Sequence, residues 1–456
     1  MHYFKSLFPQ SLKNLYHLAQ AVLANVLYGF PSRKLKVIGV TGTDGKTTTV
    51  QMIAKIFEEA GNPVKSDAAS DHGARKIAVA STINFRINGK EEKKVSHFTT
   101  ESSFAVQKFA RKAVSEGCEY LVLETSSHSL DQHRVWGINY TTAVITNVTR
   151  EHLDYHKTME KYRKAKRKLF EMVSKNHGNI VVNLDMEKPE EYLVYAKGKT
   201  YGYTCHSERS EESRDSSLTL GITSFIKAEN IELDIQDTRF KIQDTNFVLN
   251  LPGIFNAENA LAATCVALGE GIDLETIKVA LQKIKGVPGR LEAVKNDLGL
   301  HIIVDYAVTP HALENLYSFL QSIKKPTSKI IAVFGSCGDR DQGKRPIMAQ
   351  IVSEYADHII LTNEEPYHED PQKIIDEIAV GIKDKKEGEY YLKIIDRRSA
   401  IAKALSMANS GDIVVATGMG AQNSMIVGDK KIPWNDRNVI EELLEEMKSG
   451  SKGSTF

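Results

Sequence analysis

Short apolar runs alternate with amphipathic stretches along most of the chain. VIGV (37–40), IAVAST (77–82), EYLVLE (119–124), TAVITN (142–147) and NIVVN (179–183) are short and largely β-branched, which predicts strands. Between them, FAVQKFARKAV and MEKYRKAKRKLFEMV carry apolar residues three and four apart and predict helices. This is the alternation of an α/β fold around a parallel sheet. A second series follows PGR at 288–290, with HIIVDY, KIIAVFG, HIILTN and DIVVAT as strands and NVIEELLEEM as the last helix. The expected division is a helical segment at 1–36, a central domain at 37–287 and a C-terminal domain at 288–456. In the first segment Leu15, Leu18, Val22 and Val26 recur at helical spacing, which predicts an amphipathic helix packed on the domain behind it. Its apolar stretch, residues 18–30, is too short to span a bilayer. HSERSEESRDSS (206–217) has no apolar anchor, so an exposed loop is expected over about 204–219.

Composition narrows the class. A chain of 456 residues exceeds what a single core holds. A formal net charge of +1 argues against a nucleic-acid binder, which would be clearly basic. The four cysteines are scattered, with no C-x-x-C pair, so neither a zinc ribbon nor a disulfide framework is indicated. They fit a reducing compartment, and a cytoplasmic protein is expected.

VIGVTGTDGKTTTV (37–50) places a glycine turn between a strand and a helix opened by Lys46, Thr47 and Thr48. Backbone N–H groups of such a turn wrap phosphates, the lysine neutralises them and a threonine hydroxyl holds Mg²⁺. The usual GxxxxGK[ST] spacing needs glycine where Val40 stands, so the loop is a variant. The central domain is therefore expected to be P-loop NTPase-like, and the second series Rossmann-like. ETSSHSLDQHR (124–134) sets Glu124 at the end of a strand, and TNVTREHLDYH (146–156) does the same with Asn147, His152, Asp154 and His156. Either alone reads as a capped loop. Beside a P-loop they suggest an ATP–Mg²⁺ site with room for a second anionic substrate, in a cleft between two α/β domains.

TGTDGKTT, ETSSHSLDQHR, NVTREHLDYHKTMEKYRKAKRKLF, GIFNAENALAA, VPGRLE, VDYAVTP and GSCGDRDQGKRP stand in the order found in the Mur ligase family. Over about residues 37–440 the chain resembles the MurE type, UDP-N-acetylmuramoyl-dipeptide ligases that add the third residue of the peptidoglycan stem. The resemblance implies that ATP phosphorylates the terminal D-Glu carboxylate of a UDP-MurNAc-peptide. The amine of a free amino acid then attacks the acyl phosphate, releasing phosphate. It implies ATP and Mg²⁺ as cofactors and a monomer without a membrane span. Gly42, Thr43, Asp44, Gly45, Lys46, Thr47 and Thr48 would hold the phosphates, with Thr47 on Mg²⁺. Asn256, Asn259 and Arg290 would contact the nucleotide, and Asp305 would face its ribose. Glu124 and His152 match metal ligands. Thr99, Thr100, Ser126, Gln132 and Arg134 match positions that hold the muramoyl-peptide. Lys166 matches a carbamylated lysine whose anion binds a second Mg²⁺; without the resemblance, KYRKAKRK reads as a solvated basic helix face.

The chain departs from that pattern in three places. Only 36 residues precede the P-loop strand, where the MurE type carries a UDP-binding domain, so that domain is expected to be missing. Val308 stands for a usual histidine, and Glu101 for a usual proline. In the amino-acid pocket, Glu364, Glu365, Pro366 and Tyr367 replace D-N-P-R, whose arginine pairs with the distal carboxylate of meso-diaminopimelate. Met419, Ala421 and Gln422 replace residues of a GKGHE-like turn. A tyrosine cannot neutralise a carboxylate and two glutamates would repel it, so a side chain ending in a cation, lysine or ornithine, is expected. A small neutral amino acid is the alternative, and Arg340 is the arginine that could still serve meso-diaminopimelate. Rival readings are a folylpolyglutamate synthase-like or MurT-like ligase acting on another carboxylate, and a degenerate nucleotide-binding partner. A MurT-like chain would carry clustered cysteines, and decay is at odds with Lys46, Glu124, His152 and Lys166 all being present.

Overall fold

The computed structural model describes residues 9–60, 75–92, 99–205 and 221–451. Nine strands form the first sheet: β1 (Lys36–Thr41), β2 (Ile77–Ala80), β3 (Phe85–Ile87), β4 (Lys90–Glu92), β5 (Tyr120–Glu124), β6 (Tyr140–Ile145), β7 (Asn179–Asn183), β8 (Thr200–Thr204) and β9 (Ser224–Lys227). Their order is β4-β3-β2-β5-β1-β6-β7-β8-β9. All pairings are parallel except those of β3 with β2 and β4, which form an antiparallel edge the sequence pattern did not announce. β1 lies at the centre, buried in all but Lys36, as expected of a strand covered on both faces. Its side chains alternate between two cores. Ile38 and Val40 join the helices Lys46–Glu59 and Ile254–Gly269 on one face, and Val37 joins Phe109, Leu169 and Phe170 on the other. At Gly39 a Cβ would stand 2.7 Å from the Tyr140 ring, so only glycine lets β6 and the helix Met159–Lys175 close over the strand.

A separate antiparallel sheet, β10 (Glu229–Leu233), β11 (Thr238–Ile242) and β12 (Thr245–Leu249), packs beside this domain. The second large sheet holds β13 (Glu292–Val294), β14 (His301–Asp305), β15 (Ile330–Phe334), β16 (His358–Leu361), β17 (Tyr391–Lys393) and β18 (Ile413–Thr417). Its order is β13-β14-β18-β15-β16-β17, parallel except at β13. A hairpin, β19 (Ser424–Val427) and β20 (Lys430–Pro433), follows. The architecture is the expected α/β class, with a parallel-dominated central sheet and a second, smaller one. Of the expected loop at 204–219, Thr204 instead closes β8 and Cys205 is buried; the remainder lies outside the described residues.

The first helix, Gln10–Tyr28, corrects one expectation. It forms, but Leu15 (61%), Val22 (38%) and Val26 (63%) are exposed rather than packed inward. The face against the protein is Ala21, Ala24 and Asn25. Small side chains let the helix approach Ser103–Ser115 closely, and polar ones find partners at Asp131 and Trp136. Asn25 Nδ2 donates to the Trp136 carbonyl at 2.8 Å and Asn14 Nδ2 to that of Asp131 at 3.1 Å. No described helix is long and apolar enough to cross a membrane.

Candidate active site

β1, β5 and β6 are neighbours and parallel, so their C-terminal ends deliver three loops to one rim. After β1 the chain turns through Gly42 and Gly45, both at positive φ, into the helix beginning at Lys46. Gly45 has no substitute: a Cβ there would stand 2.3 Å from Asn259 Oδ1. Asn259 in turn accepts from Thr49 Oγ1 at 3.1 Å, and Asn256 Nδ2 donates to the Pro252 carbonyl at 2.7 Å. Asn259 braces the P-loop helix, Asn256 accepts from Asn259 Nδ2 at 3.3 Å, and both line the cleft.

Asn147, at the end of β6, holds the loop from the other side. Its Oδ1 accepts from the amides of Thr43 (3.2 Å) and Asp44 (2.9 Å). The Thr43 hydroxyl is engaged by Tyr162 and the Thr149 amide, and the Asp44 carboxylate accepts from Thr309 Oγ1 at 3.2 Å. Thr43 and Asp44 thus spend their side chains holding the loop and closing the domains together. Lys46 Nζ donates to the Thr43 carbonyl at 2.7 Å, while Thr48 is buried behind it.

Thr47 Oγ1 lies 3.1 Å from both carboxylate oxygens of Glu124, which also accept from the Thr82 amide (2.7 Å) and hydroxyl (2.8 Å). His152, at φ 57°, enters the cleft edge-on to His128, with ring centroids 4.6 Å apart. Burial, together with the charges of His128, Lys166, Lys46 and Lys344, holds its pKa well below the usual imidazole value. A neutral imidazole, a carboxylate and a hydroxyl are donors that suit a divalent cation. No group of three or more His, Cys, Asp or Glu side chains among the described residues forms a closed metal cage. Mg²⁺ does not need one, since it is usually held by one or two carboxylates plus waters and phosphates.

Lys166 lies under the P-loop, buried, its Nζ donating to the Gly42 carbonyl at 2.5 Å and standing 4.4 Å from the Tyr162 ring centroid. The solvated basic face is therefore wrong for this residue. Burial and the nearby Lys46 charge hold its pKa well below the ordinary lysine value.

The muramoyl-peptide candidates divide. Thr99 lines the cleft. Thr100 is buried, its hydroxyl donating to the Glu124 carbonyl (2.8 Å) and accepting from the Ser126 amide (2.9 Å). Arg134 Nη1 donates to the Thr100 carbonyl at 2.5 Å, and Ser126 caps the helix Ser127–Asp131, which Gln132 follows. Thr100, Ser126 and Arg134 therefore shape this wall from within.

Across the cleft, Asp305 accepts from the Leu291 amide at 2.7 Å, and Arg290 stacks on Tyr306, 4.6 Å from its ring centroid. Arg340 lies over Tyr367 (5.1 Å), its Nη2 3.4 Å from the phenol oxygen, which stands 3.4 Å from Glu365 Oε2. Gln422 Nε2 reaches the Tyr306 hydroxyl at 3.5 Å, while its Oε1 is buried without a hydrogen-bond partner. The expected acidic pair is corrected. Glu364 is 2% exposed, wedged against Gly418 behind the loop, and burial pushes its pKa up to about 7, so only Glu365 stands beside Tyr367.

One group escaped sequence reasoning. Lys344 Nζ donates to both Glu151 oxygens (3.0 and 3.1 Å) and to the Val308 carbonyl (2.8 Å), joining the domains through a buried ion pair. Burial opposes the Lys344 charge, but Glu151 outweighs it and raises the lysine pKa. REHLDYH and DQGKRP hold these residues, yet nothing in their spacing pairs them. P-loop, Glu124, His152, Asn256, Asn259, Arg290, Asp305, Arg340 and Lys344 surround a single cavity of about 230 Å³.

Comparison with known proteins identifies the family. The Mur ligase middle domain matches residues 40–267, and the Mur ligase glutamate ligase domain matches 289–420. The chain is 39% identical over 437 residues to a UDP-N-acetylmuramoyl-L-alanyl-D-glutamate–2,6-diaminopimelate ligase of Clostridium botulinum, covering 94% of this chain and 82% of the relative. It is 35% identical over 454 residues to a UDP-N-acetylmuramyl-tripeptide synthetase of a Roseiflexus species, covering 95% and 83%. A solved UDP-N-acetylmuramoyl-L-alanyl-D-glutamate–2,6-diaminopimelate ligase superposes with a TM-score of 0.57 at 29% identity, over 91% of this chain and 79% of that one. The folylpolyglutamate synthase of Mycobacterium tuberculosis shares the fold, with a TM-score of 0.68 at 16% identity over 88% and 92%. The chain belongs to the Mur ligase family, among its MurE-type members, and is an ATP-dependent ligase of peptidoglycan precursor synthesis.

Proposed function

We propose that this chain, a cytoplasmic monomer, joins a free diamino acid to the D-Glu carboxylate of a UDP-MurNAc-dipeptide, using ATP with Mg²⁺. The observation that carries the reading is the facing of two half-sites across one cavity: P-loop, Glu124 and His152 on one domain, Arg340 on the other. The P-loop amides and Lys46 receive the phosphates, and Lys46 stabilises charge that grows as the γ-phosphoryl group moves. The carboxylate oxygen attacks the γ-phosphorus and ADP leaves. The amine then attacks the acyl carbon, loses a proton, and phosphate departs with the C–O bond. Thr47, Glu124 and His152 would hold Mg²⁺, which would supply charge neutralisation for the phosphates. Lys166, buried and held toward its neutral form, is the amine that would take up CO₂ and place a carboxylate under the loop.

For the amino acid, Glu365 and the unpartnered Gln422 Oε1 are acceptors suited to a side-chain ammonium, which favours lysine or ornithine. A second reading, meso-diaminopimelate, is favoured by Arg340 beside Tyr367 and by the names of the relatives. The test is a competition among lysine, ornithine, alanine and meso-diaminopimelate at equal concentration with ATP and UDP-MurNAc-L-Ala-D-Glu, read by product mass. Lysine or ornithine in the product supports the first reading, and meso-diaminopimelate overturns it. No ATP-dependent product with any of them refutes the ligase assignment.

A further inference from the structure

The first helix is amphipathic in reverse. Leu12, Leu15, Tyr16, Val22, Leu23, Val26 and Leu27 are all exposed, while its small and polar residues Ala21, Ala24 and Asn25 pack on the protein. At 100° per residue these seven side chains fall on one continuous outward stripe, along a helix of 19 residues, about 28 Å long. Soluble monomers rarely leave a contiguous apolar face of that extent open to water. Trp136, partly exposed, lies beside it, its carbonyl bound by Asn25.

Charge identifies the occupant. From residue 9 to residue 43 the chain has no aspartate or glutamate, although the protein as a whole carries 58. Its cations there are Lys13, Arg33, Lys34 and Lys36. Lys36 is paired with Glu270 at 2.8 Å, whereas the other three have no carboxylate partner among the described residues. A second copy docked on this stripe would bring Lys13, Arg33 and Lys34 toward their own kind, with no acidic residue of the helix to pair them. Anionic headgroups would meet those cations while acyl chains took the leucines. A helix so equipped lies in the plane of an interface rather than crossing it, and Tyr16 and Trp136 are the aromatic types enriched at that depth. We propose that the outward face of the helix Gln10–Tyr28 docks the enzyme peripherally on an anionic phospholipid surface. The proposal is independent of which amino acid the cleft joins.

The test is co-sedimentation of the full chain with phosphatidylcholine vesicles and with the same vesicles containing phosphatidylglycerol, at low and high salt. The expected result is binding to the phosphatidylglycerol vesicles alone, weakened by salt. Leu15→Glu with Leu23→Glu should lower that binding by more than about tenfold, because each change replaces an apolar side chain that would enter the bilayer with one of the same charge as the lipid. Unchanged ligase activity and thermal melting of the double variant show that the fold is intact. Binding to neither vesicle overturns the proposal, as does equal binding to both. Absence of vesicle binding together with a concentration-dependent dimer that the variant abolishes overturns it in favour of a second copy.

Discussion

Replacing Lys344 with methionine should damage closure of the cleft more than the fold of either domain. The ammonium lies 3.0 and 3.1 Å from the two Glu151 oxygens, and the side chains are only 5% and 9% exposed. At an effective dielectric near 20, unit charges that close attract by about 5 kcal/mol. Desolvation cancels much of this gain, so the intact pair is worth far less than its Coulomb energy. Removing one partner is different, because the buried carboxylate then has no counter-charge, typically at a cost of ~3–5 kcal/mol. Glu151 and Lys344 sit on different domains, so opening the cleft lets water reach the orphaned carboxylate. The cost should therefore fall on the closed state and appear as a loss of about 10²–10³ in kcat/KM, with a smaller change in the unfolding midpoint. The assay is a double-mutant cycle of Lys344→Met, Glu151→Gln and the pair, read in kcat/KM and in urea denaturation. Glu151→Gln removes the orphaned charge, so the double variant should recover part of the loss, with a coupling of about 2 kcal/mol. Additivity within ~0.5 kcal/mol would refute the latch and leave Lys344 as a residue that serves substrate directly.

Lys46→Ala should cost at least about 10²–10³ in kcat, the scale of losing one preorganised electrostatic stabiliser, measured by ADP release. Lys166→Ala should be nearly inactive and regain activity with added formate or acetate; an intact-mass spectrum under CO₂ that shows only the unmodified lysine would count against carbamylation. Gly45→Ala should destabilise the P-loop and abolish ATP binding, read by calorimetry, because the new Cβ meets Asn259 at 2.3 Å. Glu369, hydrogen-bonded to buried Arg345 at 2.9 and 3.1 Å, has its pKa held below the usual carboxylate value by that contact, against a smaller burial effect. Its contribution is thus present above the unfolded-state pKa and lost as pH falls through the folded one. Glu369→Gln should be less stable than the parent at neutral pH, and their thermal midpoints should converge in acid.

The strands that position the site were legible because strands buried on both faces read as unbroken apolar runs: NIVVN is a strand from end to end, and EYLVLE ends on Glu124. The antiparallel sheet of β10–β12 was not, since its half-exposed strands mix polar and apolar residues. The first helix showed its period but not its orientation; a 3.6-residue repeat marks an apolar stripe and says nothing of what covers it. The phosphate loop was visible in its glycines and lysine. Its supports were not: Asn147 was legible as a residue of the site but not as a brace of the loop, and Thr309 acts through a tertiary hydrogen bond that no local pattern encodes. Lys166 needed the resemblance, since a buried lysine inside a basic run is written like its exposed neighbours. Glu364 and Glu365 were read as equivalent, yet these two buried neighbours part, one against Cys337 and Gly418 and the other beside Tyr367.

The contacts that build the cleft also bear on the order of folding. Thr47 reaches Glu124 across 77 residues of sequence, Asp44 reaches Asn147 across 103, and Thr309 reaches Asp44 across 265. Closing loops of that length costs entropy before any contact repays it, and parallel pairing of distant strands is slow for the same reason. The catalytic rim therefore belongs among the last parts of the chain to form, after β1, β5 and β6 have aligned. A nucleotide that binds only the completed rim adds its binding energy to the finished state and nothing to partly folded forms. Refolding should thus proceed at the same rate with or without ATP, while unfolding is slowed by it.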